Sequence, residues 1–468
     1  MRFITFICCF LPLVLFSQTN KPNVVFLLVD DVGWGDFSCY GATFNETPNI
    51  DKLSKDGMLF VNGYAASTVC SPSRAAILAG KYPAKLKLTD WIDGHNYAYA
   101  KLTVPDWTLK LDHKEKLLPE VLKDQGYTTA FFGKWHLMPI NRKDFDDHYP
   151  TNHGFDINVG GREWGQPKGR GKYFSPFDMP NLDNGKKNDF LTDKLTNAAI
   201  TYLDTVSKKD PFLLYFSYYT IHGPVMAPKT IIEKYKKKSK TFVNTKNEYV
   251  SATRAAMVER LDVSVGKILD KLDALGIADN TIIILTGDNG GNYDETTNGL
   301  RGYKGFAYEG GVREPLIVKW PNNIAPGSRS AVPVMGIDFY PTILDMVGIA
   351  DYNAKEIDGE SFLPVLTGEK NKLKRKSLFW HYPHYHRTKP YGAILDDNWK
   401  LLEFFEDGNL ELYNLTTDPN ETRNLANINV AKTRKMKKKL VKWRASVGAQ
   451  MMTENPNYDA TKADLRVK

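Results

Sequence analysis

The stretch NVVFLLVDD, residues 23–31, joins a nearly unbroken apolar run to two adjacent aspartates. A run without polar interruption, here 23–29, is typical of a strand that is buried on both faces of its sheet. Four later runs, at 127–132, 211–218, 281–286 and 315–320, have the same character. Strands of this kind belong to α/β proteins, in which helices cover both faces of the sheet.

A helical pattern lies between two of these runs. Apolar side chains recur there at spacings of three and four, at Met257, Leu261, Val265, Ile268, Leu272 and Leu275. That periodicity predicts a helix with one buried face, and Gly276 is placed to end it. The order of strands and helices predicts a large α/β domain, with a mixed, mostly parallel sheet sandwiched by helices.

The pattern changes beyond about residue 365. The segment GAILDDNWKLLEFFEDGNLELYNLTTDP, residues 392–419, alternates short strand-like runs with turn signals, which is typical of an antiparallel sheet. A Lys/Arg-rich helical segment follows at 431–446. We therefore predict a large α/β domain over 18–365 and a smaller C-terminal subdomain of antiparallel sheet plus helix over 366–468.

The first residues have the layout of an export signal. Arg2 is the only charge before a long apolar run, and the small residue Ser17 closes that run. The run is too short for a membrane span, so it predicts a signal peptide at 1–17 and an exported protein, periplasmic or extracellular, without stable membrane insertion. A buried N-terminal strand or helix is the alternative.

Charge and cysteine content exclude several classes of protein. The formal net charge of +8 suits an anionic substrate but does not identify one. We interpret the lysine-rich stretches at 234–240 and 433–444 as solvated helix faces, so no nucleic-acid partner is expected. Cys39 and Cys70 alone would remain after signal removal, too few for a disulfide framework, although one bridge between them is possible.

Polar side chains follow four of the predicted strands. They are Asp30 and Asp31, Lys134 and His136, His222, and Asp288 and Asn289. In open α/β sheets the ligand site lies beyond the carboxyl ends of the strands, so four distant segments are expected to meet at one rim. This convergence predicts an enzyme.

The residue types at this rim indicate a hard cation and a tetrahedral anion. Oxygen donors that suit Ca²⁺ or Mg²⁺ rather than zinc are supplied by Asp30, Asp31, Asp288 and Asn289. Groups that could hold an anion or transfer protons are Lys134, His136, His222 and Lys304. Helix caps or exposed turns are the alternative for the acids, and structural histidines for the imidazoles.

Cys70 stands in STVCSPSRAAILAGKYP, residues 67–83. Pro72 fits the first turn of a helix, and a helix N-terminus lowers the pKa of a thiol. A free thiolate outside the cell oxidises readily, however. An inert buried thiol, a bridge to Cys39 and a reactive group all remain open, and the mismatch between a functional position and an unsuitable thiol favours a modified cysteine.

At these motifs the chain resembles the type I, formylglycine-dependent sulfatases of the alkaline phosphatase superfamily. CSPSR matches the family's Cys-x-Pro-x-Arg signature, in which cysteine is oxidised to formylglycine. Further matches, in family order, are NVVFLLVDDVGWGD, TPNID, GYTTAFFGKWHL, HGFD, IHGP, TGDNGG, KGFAYEGGVREPLIVKWP and ELYNLTTDPNETRNLA. The resemblance covers almost the whole mature chain and implies an alkaline phosphatase-like fold, with the C-terminal subdomain closing one side of the substrate cleft.

The resemblance also implies a mechanism. Cys70 would be converted to formylglycine by a formylglycine-generating or anaerobic sulfatase-maturating enzyme, and its hydrate would act as nucleophile through a sulfo-enzyme intermediate. Arg74 would fix the formylglycine, and Lys134 and Lys304 would bind sulfate oxygens. His222 would serve the leaving alcohol and His136 the release of sulfate.

The same resemblance implies a bound cation and shows two departures. Ca²⁺, with Mg²⁺ possible, would be held by Asp30, Asp31, Asp288 and Asn289. Gly287 stands where many members carry Ser, and Glu314 where a small or apolar residue is common.

The expected substrate is a sulfated carbohydrate, such as an algal polysaccharide or a glycosaminoglycan. Segment 379–392 carries the candidate substrate-binding residues His381, His384, His386 and Arg387, and loop 158–174 carries Arg162 and Trp164. Aromatic side chains stack on sugars, and guanidinium groups bind sulfates. A structural histidine cluster and a solvated loop are the alternatives. A phosphoester or phosphonate hydrolase of the same superfamily and a non-catalytic glycan-binding relative are the rival functions.

Overall fold

The computed structural model describes residues 21–140, 147–206, 210–239, 248–350 and 352–466. The predicted signal peptide at 1–17 lies outside these residues. The strands are β1 (Asn23–Val29), β2 (Met58–Tyr64), β3 (Leu102–Thr103), β4 (Thr128–Gly133), β5 (Ile157–Val159), β6 (Phe212–Ser217), β7 (Thr281–Gly287), β8 (Arg313–Lys319), β9 (Ser328–Ser330), β10 (Val334–Met335), β11 (Ser377–Tyr382), β12 (Tyr391–Asp396), β13 (Trp399–Phe404), β14 (Leu410–Asn414) and β15 (Thr453–Glu454).

The helices connect these strands in the predicted alternation. They are α1 (Pro48–Asp56), α2 (Cys70–Ala79), α3 (Pro83–Leu86), α4 (Leu118–Asp124), α5 (Leu191–Thr205), α6 (Lys229–Ser239), α7 (Glu248–Ala274), α8 (Glu309–Val312), α9 (Phe339–Met346), α10 (Leu363–Leu366) and α11 (Val430–Ser446). The predicted helix over 257–275 corresponds to the last two thirds of α7, which ends at Ala274, and Gly276 follows with a φ of +66°, as a helix-ending glycine does.

The large sheet has the strand order β10-β2-β8-β7-β1-β6-β4-β5, with β9 paired to β2. Every neighbouring pair in it is parallel except the two that β8 makes with β2 and β7. The mixed, mostly parallel sheet predicted from the sequence is thus confirmed. Because β8 runs the other way, its first residues, rather than its last, lie at the edge where β7 ends.

Strand β1 shows why an unbroken apolar run was required. Val25, Leu27 and Val29 pack into one hydrophobic core, while the alternating Val24, Phe26 and Leu28 pack into a second. Side chains of α1, α5, α6 and α7 fill the first core, and those of α2, α4 and α9 fill the second. A strand between two helical layers has no face left for polar residues.

A second sheet follows in the C-terminal part, as predicted. Strands β11 to β14 are antiparallel in the order of the chain. Met436, Leu440 and Trp443 of α11 pack against this sheet in a third core, which also contains Tyr64 and Val69 from the large domain. The two parts therefore share apolar contacts, and the domain boundary at 365/366 stays a prediction. Within the described ranges, none of the helices combines the length and apolar character that crossing a membrane requires.

Candidate active site

The polar residues predicted to converge do so at one edge of the large sheet. Strands β7, β1, β6 and β4 lie side by side in that order, and their carboxyl ends are followed by Asp288, Asp30, His222 and Lys134 respectively. Parallel neighbours end at the same edge, so residues far apart in sequence are brought into contact.

A turn at Gly133 directs the chain so that Lys134 lies at this edge of the sheet. Gly133 has a φ of +98°, and a Cβ atom there would lie 1.9 Å from the carbonyl oxygen of Ser217. Only glycine allows so close an approach in this backbone conformation. The backbone amide of Lys134 then donates a hydrogen bond to the same oxygen at 2.7 Å, which fixes the point where the chain leaves the sheet.

Cys70 is the first residue of α2 and is buried, with 3% of its surface exposed. The next residue, Ser71, anchors it by donating a hydrogen bond to the backbone oxygen of His136 at 2.9 Å. Cys39 and Cys70 are both free thiols, so the bridge left open by the sequence is not formed. Burial, followed by the charge of Asp51, raises the pKa of Cys39 to about 12, which keeps that thiol protonated at neutral pH.

Arg74 lies one helical turn beyond Cys70 and is almost fully buried. Its Nε atom donates a hydrogen bond to Oδ2 of Asp288 at 2.8 Å, and its Nη1 atom donates to Ser217 Oγ at 2.6 Å. Burial disfavours the guanidinium charge, but Asp288 and Asp30 together raise the pKa of Arg74 above its usual value. Arg74 therefore ties α2 to the ends of β6 and β7.

Two lysines pair with the adjacent aspartates. Lys134 Nζ contacts both carboxylate oxygens of Asp30, at 3.0 and 2.8 Å. Lys304 Nζ lies 2.6 Å from Oδ1 of Asp31 and 4.0 Å from Sγ of Cys70. A fixed positive charge therefore stands directly beside Cys70.

The three carboxylates are fully buried and respond differently to their surroundings. Burial raises the pKa of Asp30 to about 6, although Lys134 acts in the opposite direction. Burial also raises the pKa of Asp288. Asp31 differs because Lys304 and His222 outweigh its burial and hold its pKa below the usual value. Lys134, Lys304 and Arg74 thus pair with the three buried acids one to one, which offsets their mutual repulsion.

The donor atoms fit a hard cation. Asn289 donates from Nδ2 to Asp31 Oδ1 at 2.9 Å, and this orients the amide. The opposite atom, Asn289 Oδ1, and Asp31 Oδ2 are buried without a hydrogen-bond partner among the described residues. Carboxylate oxygens of Asp30 and Asp31 also lie within 4.8 Å of an imidazole nitrogen of His222. Unpartnered carboxylate and amide oxygens are the ligands that Ca²⁺ and Mg²⁺ take.

Two histidines face this centre with defined tautomers. His136 Nε2 lies 2.5 Å from the backbone oxygen of Ile92, which can only accept, so Nε2 carries the proton and the buried Nδ1 is left as the acceptor. His222 Nδ1 lies 2.8 Å from the oxygen of Gly223 and is the protonated nitrogen for the same reason. Burial lowers the pKa of both imidazoles, that of His222 to about 3.

The predicted substrate-binding residues fall into two groups. Arg162 stacks on Trp164, with 3.7 Å from its guanidinium carbon to the ring centroid, and its carbonyl oxygen accepts from the amide of His136. Arg387 donates to the backbone oxygen of Lys304 at 3.1 Å, and the ring of His386 packs on Gly305. These four residues line the rim.

The other two histidines are placed elsewhere. His384 is buried, with Nε2 2.8 Å from Thr89 Oγ1. His381 lies inside the C-terminal subdomain, where Nε2 is 2.7 Å from the backbone oxygen of Gln450 and the ring packs beside Phe405. The structure does not bring His381 to the rim. The sequence pattern could not separate it from His386, because β11 ends between the two.

Segment 90–95 also belongs to the site, although no sequence motif predicts it. The amide of Ile92 donates to Ser71 Oγ at 3.1 Å, and its oxygen meets His136, so this segment touches the neighbours of Cys70. His95 stacks on His386 with 5.2 Å between ring centroids, and Trp91 lies 4.9 Å from His95. No predicted strand ends at this segment, so the strand-end rule does not place it in the site. The closely spaced Trp, Asp and His residues are the only sequence feature that could have indicated a functional segment.

Comparison with known proteins agrees with this geometry. The family model described as Sulfatase matches residues 22–349, and the model described as N-sulphoglucosamine sulphohydrolase, C-terminal, matches residues 301–446. A sulfatase of Formosa agariphila is 34% identical, over 88% of this chain and 87% of that protein. The human N-acetylgalactosamine-6-sulfatase is 33% identical, over 77% of this chain and 68% of that protein.

A solved structure aligns over nearly the whole chain. The crystal structure of Ps i-CgsB in complex with k-i-k-neocarrahexaose covers 94% of this chain and 96% of its own, with a TM-score of 0.76 and 27% sequence identity. The similarity therefore extends well beyond the sheet edge that carries Cys70.

Proposed function

The chain belongs to the sulfatase family and is a sulfuric ester hydrolase, and from this premise we propose that it removes O-sulfate groups from a sulfated carbohydrate. The observation that carries the proposal is the position of Cys70. It begins a helix 4.0 Å from the ammonium group of Lys304, and its sulfur lies within 4.8 Å of carboxylate oxygens of Asp30 and Asp288. The precursor of a nucleophile, an anion-binding cation and a metal-binding set thus lie together in one site.

We propose that Cys70 is the precursor of formylglycine, made by a formylglycine-generating or anaerobic sulfatase-maturating enzyme. The modified residue supplies a hydrated aldehyde whose hydroxyl is the nucleophile toward sulfur. Ser71, held by the oxygen of His136 and by the amide of Ile92, keeps the start of α2 in place. Arg74 holds this helix against Asp288, so its role is to position residue 70.

Asp30, Asp31, Asp288 and Asn289 would hold the cation, which we propose to be Ca²⁺. When bound, it offsets the charge of the sulfate group and of the surrounding acids. Lys134 and Lys304, now paired with Asp30 and Asp31, are then free to donate to sulfate oxygens. Such fixed donors stabilise the charge that develops in the transition state.

The tautomers of His222 and His136 suggest which nitrogen of each ring takes part in proton transfer. His222 is partly exposed, at 17% of its side chain, and its unprotonated Nε2 points toward the metal set, 3.8 Å from Asp31 Oδ2. We assign this nitrogen to the leaving alcohol: Nε2 must first take up a proton, which it then donates to the ester oxygen as the S–O bond breaks. His136 keeps its buried, unpartnered Nδ1 unprotonated and is assigned to accept the proton that is lost when sulfate is released.

The substrate class follows from the rim. Trp164 offers a flat face beside Arg162, whose guanidinium is paired with Glu163, and His386 with Arg387 offers a second polar wall. Aromatic stacking with guanidinium groups suits a sugar that carries negative charge. The named relatives, an N-acetylgalactosamine-6-sulfatase and a protein crystallised with a neocarrahexaose, support sulfated glycans. We propose that the enzyme is exported and acts in the periplasm or outside the cell.

Sulfate release across a substrate panel tests the proposal. The panel holds an aryl sulfate, carrageenan oligosaccharides, glycosaminoglycan oligosaccharides and an aryl phosphate. The variant Cys70→Ala should abolish release, while Cys39→Ala, which removes the other free thiol, should retain it. Peptide mass analysis confirms the aldehyde at position 70. A mature enzyme that hydrolyses the phosphate faster than every sulfate would contradict the proposal and favour a phosphoester hydrolase.

A further inference from the structure

A groove lies at the junction of the two sheets, on the side where β2 begins and away from the active site. It is lined by Met58 at the start of β2, by the segments 329–333 and 368–376, and by Ser377 and Leu378 at the start of β11. Its volume is about 1340 Å³. We call it the cationic groove because of the side chains that line it.

The charges in the cationic groove are strongly one-sided. The cationic lining residues are Arg329, Lys370, Lys372, Lys374, Arg375 and Lys376, and the acidic ones are Glu369 and Asp397. Arg375 is held by both oxygens of Asp338, at 2.5 and 2.6 Å. In the described part of the chain, the other five cations have no ion-pair partner. A large excess of positive charge therefore faces the solvent in this groove.

The cations of the segment 370–376 form a row. Lys372, Lys374 and Lys376 are exposed, and they alternate with the half-buried Leu373 and Arg375. This alternation turns the three ammonium groups outward, with at most about 7 Å of chain between successive ones. Such a row creates a positive potential that attracts anions, and Glu360, whose carboxylate accepts from the backbone amides of Lys374 and Arg375, offsets only part of it. A partner with charges at regular intervals matches the row better than a single small anion does.

We propose that the cationic groove binds a stretch of the anionic glycan chain at a distance from the ester that is hydrolysed. This inference rests on the proposed function, which supplies the polyanionic substrate. Strand β11 runs from the groove to the rim segment that carries His386, and its six residues span about 20 Å. A polymer can therefore occupy both places at once, whereas a short substrate reaches only the active site. Simultaneous contact raises the effective affinity for polymers.

A matched pair of charge variants tests this inference. The groove variant is Lys372→Gln, Lys374→Gln, Lys376→Gln, and the control variant is Lys435→Gln, Lys438→Gln, Lys442→Gln, which removes the same charge from the exposed side of α11. Binding of end-labelled chondroitin sulfate and ι-carrageenan is measured by fluorescence polarisation at several salt concentrations. We expect the groove variant to bind roughly tenfold more weakly, with a shallower salt dependence, and the control to stay within about twofold of the parent.

The outcomes separate this inference from the proposed function. Sulfate release from polymer should fall in the groove variant, while turnover of an aryl sulfate shows that both variants are folded. Equal polymer affinity in the two variants would overturn the inference, as would a duplex DNA that binds the groove as tightly as the glycans do. Failure of the proposed function has a different signature: the parent enzyme then releases sulfate from no substrate, whatever its affinity for polymer.

Discussion

The Nζ atom of Lys304 lies between two functional groups, 2.6 Å from Oδ1 of Asp31 and 4.0 Å from Sγ of Cys70. Asp31 raises the pKa of this lysine although burial opposes the charge, so Lys304 stays protonated beside residue 70. The same cation thus compensates a predicted metal ligand and faces the position of the nucleophile.

Replacing this lysine should remove transition-state stabilisation. We expect Lys304→Ala to lower kcat/KM for an aryl sulfate by roughly 100- to 1000-fold, the usual loss when one fixed donor to a developing charge is removed. Steady-state kinetics on protein with confirmed formylglycine measures this. Lys319→Ala, which removes a lysine paired with Asp56 outside the site, is the control. A loss below tenfold for Lys304→Ala would exclude a direct role.

Removal of the metal ion should destabilise the protein. With Asp31 Oδ2 and Asn289 Oδ1 unpartnered, we expect Tm to fall in EDTA and to recover with Ca²⁺, because a ligand at about 100 times its Kd stabilises the folded state by about 2.7 kcal/mol. Differential scanning fluorimetry measures the shift. Asp31→Asn should abolish the response, and Asp51→Asn, outside the site, should retain it. An undiminished Ca²⁺ response in Asp31→Asn would contradict the assigned ligand set.

The buried Asp90 should make stability depend on pH. Burial raises the pKa of Asp90 from 3.8 to about 7, although Tyr382, whose hydroxyl donates to it at 2.5 Å, favours the carboxylate. The folded state therefore holds this proton more tightly than the unfolded chain. The resulting stability is fully present below about pH 4 and is lost as the pH rises through about 7.

Urea unfolding at pH 5 and pH 8 measures this effect. Asp90→Asn keeps the neutral shape at both pH values, so the variant should gain stability relative to the parent between pH 5 and pH 8. A pH-independent difference between the two proteins would show that Asp90 is ionised in the folded state throughout.

Replacing two histidines of the segment 379–392 should have different effects, one on substrate binding and the other on stability. His386 packs on Gly305 at the rim, whereas His381 lies against Gln450 within the C-terminal subdomain. We expect His386→Ala to raise KM for a sulfated oligosaccharide about tenfold, through the loss of a contact worth about 1.4 kcal/mol. His381→Ala should instead lower Tm, with KM near that of the parent. Equal KM values in the two variants would remove His386 from the substrate site.

Much of this protein follows from patterns along the chain. The five apolar runs determine buried strands, because a strand between two helical layers must be apolar on both faces. The rule that ligands bind beyond the carboxyl ends of such strands then brings Asp30, Lys134, His222 and Asp288 together. CSPSR marks Cys70 without reference to any contact. Each of these features is local, or depends only on the order of strands and helices.

Other features depend on which backbones lie side by side, and only the tertiary structure decided them. The antiparallel direction of β8 brings Glu314 next to Gly287. A Cβ atom at position 287 would lie 3.0 Å from the Glu314 carboxylate, so the glycine leaves room for the glutamate. The segment 90–95 joins the site through hydrogen bonds of the Ile92 backbone, which no side-chain pattern records. The separation of His381 from His386 depends on where β11 ends and on what packs against it. Sequence periodicity reports burial, whereas contacts between distant segments are fixed by packing.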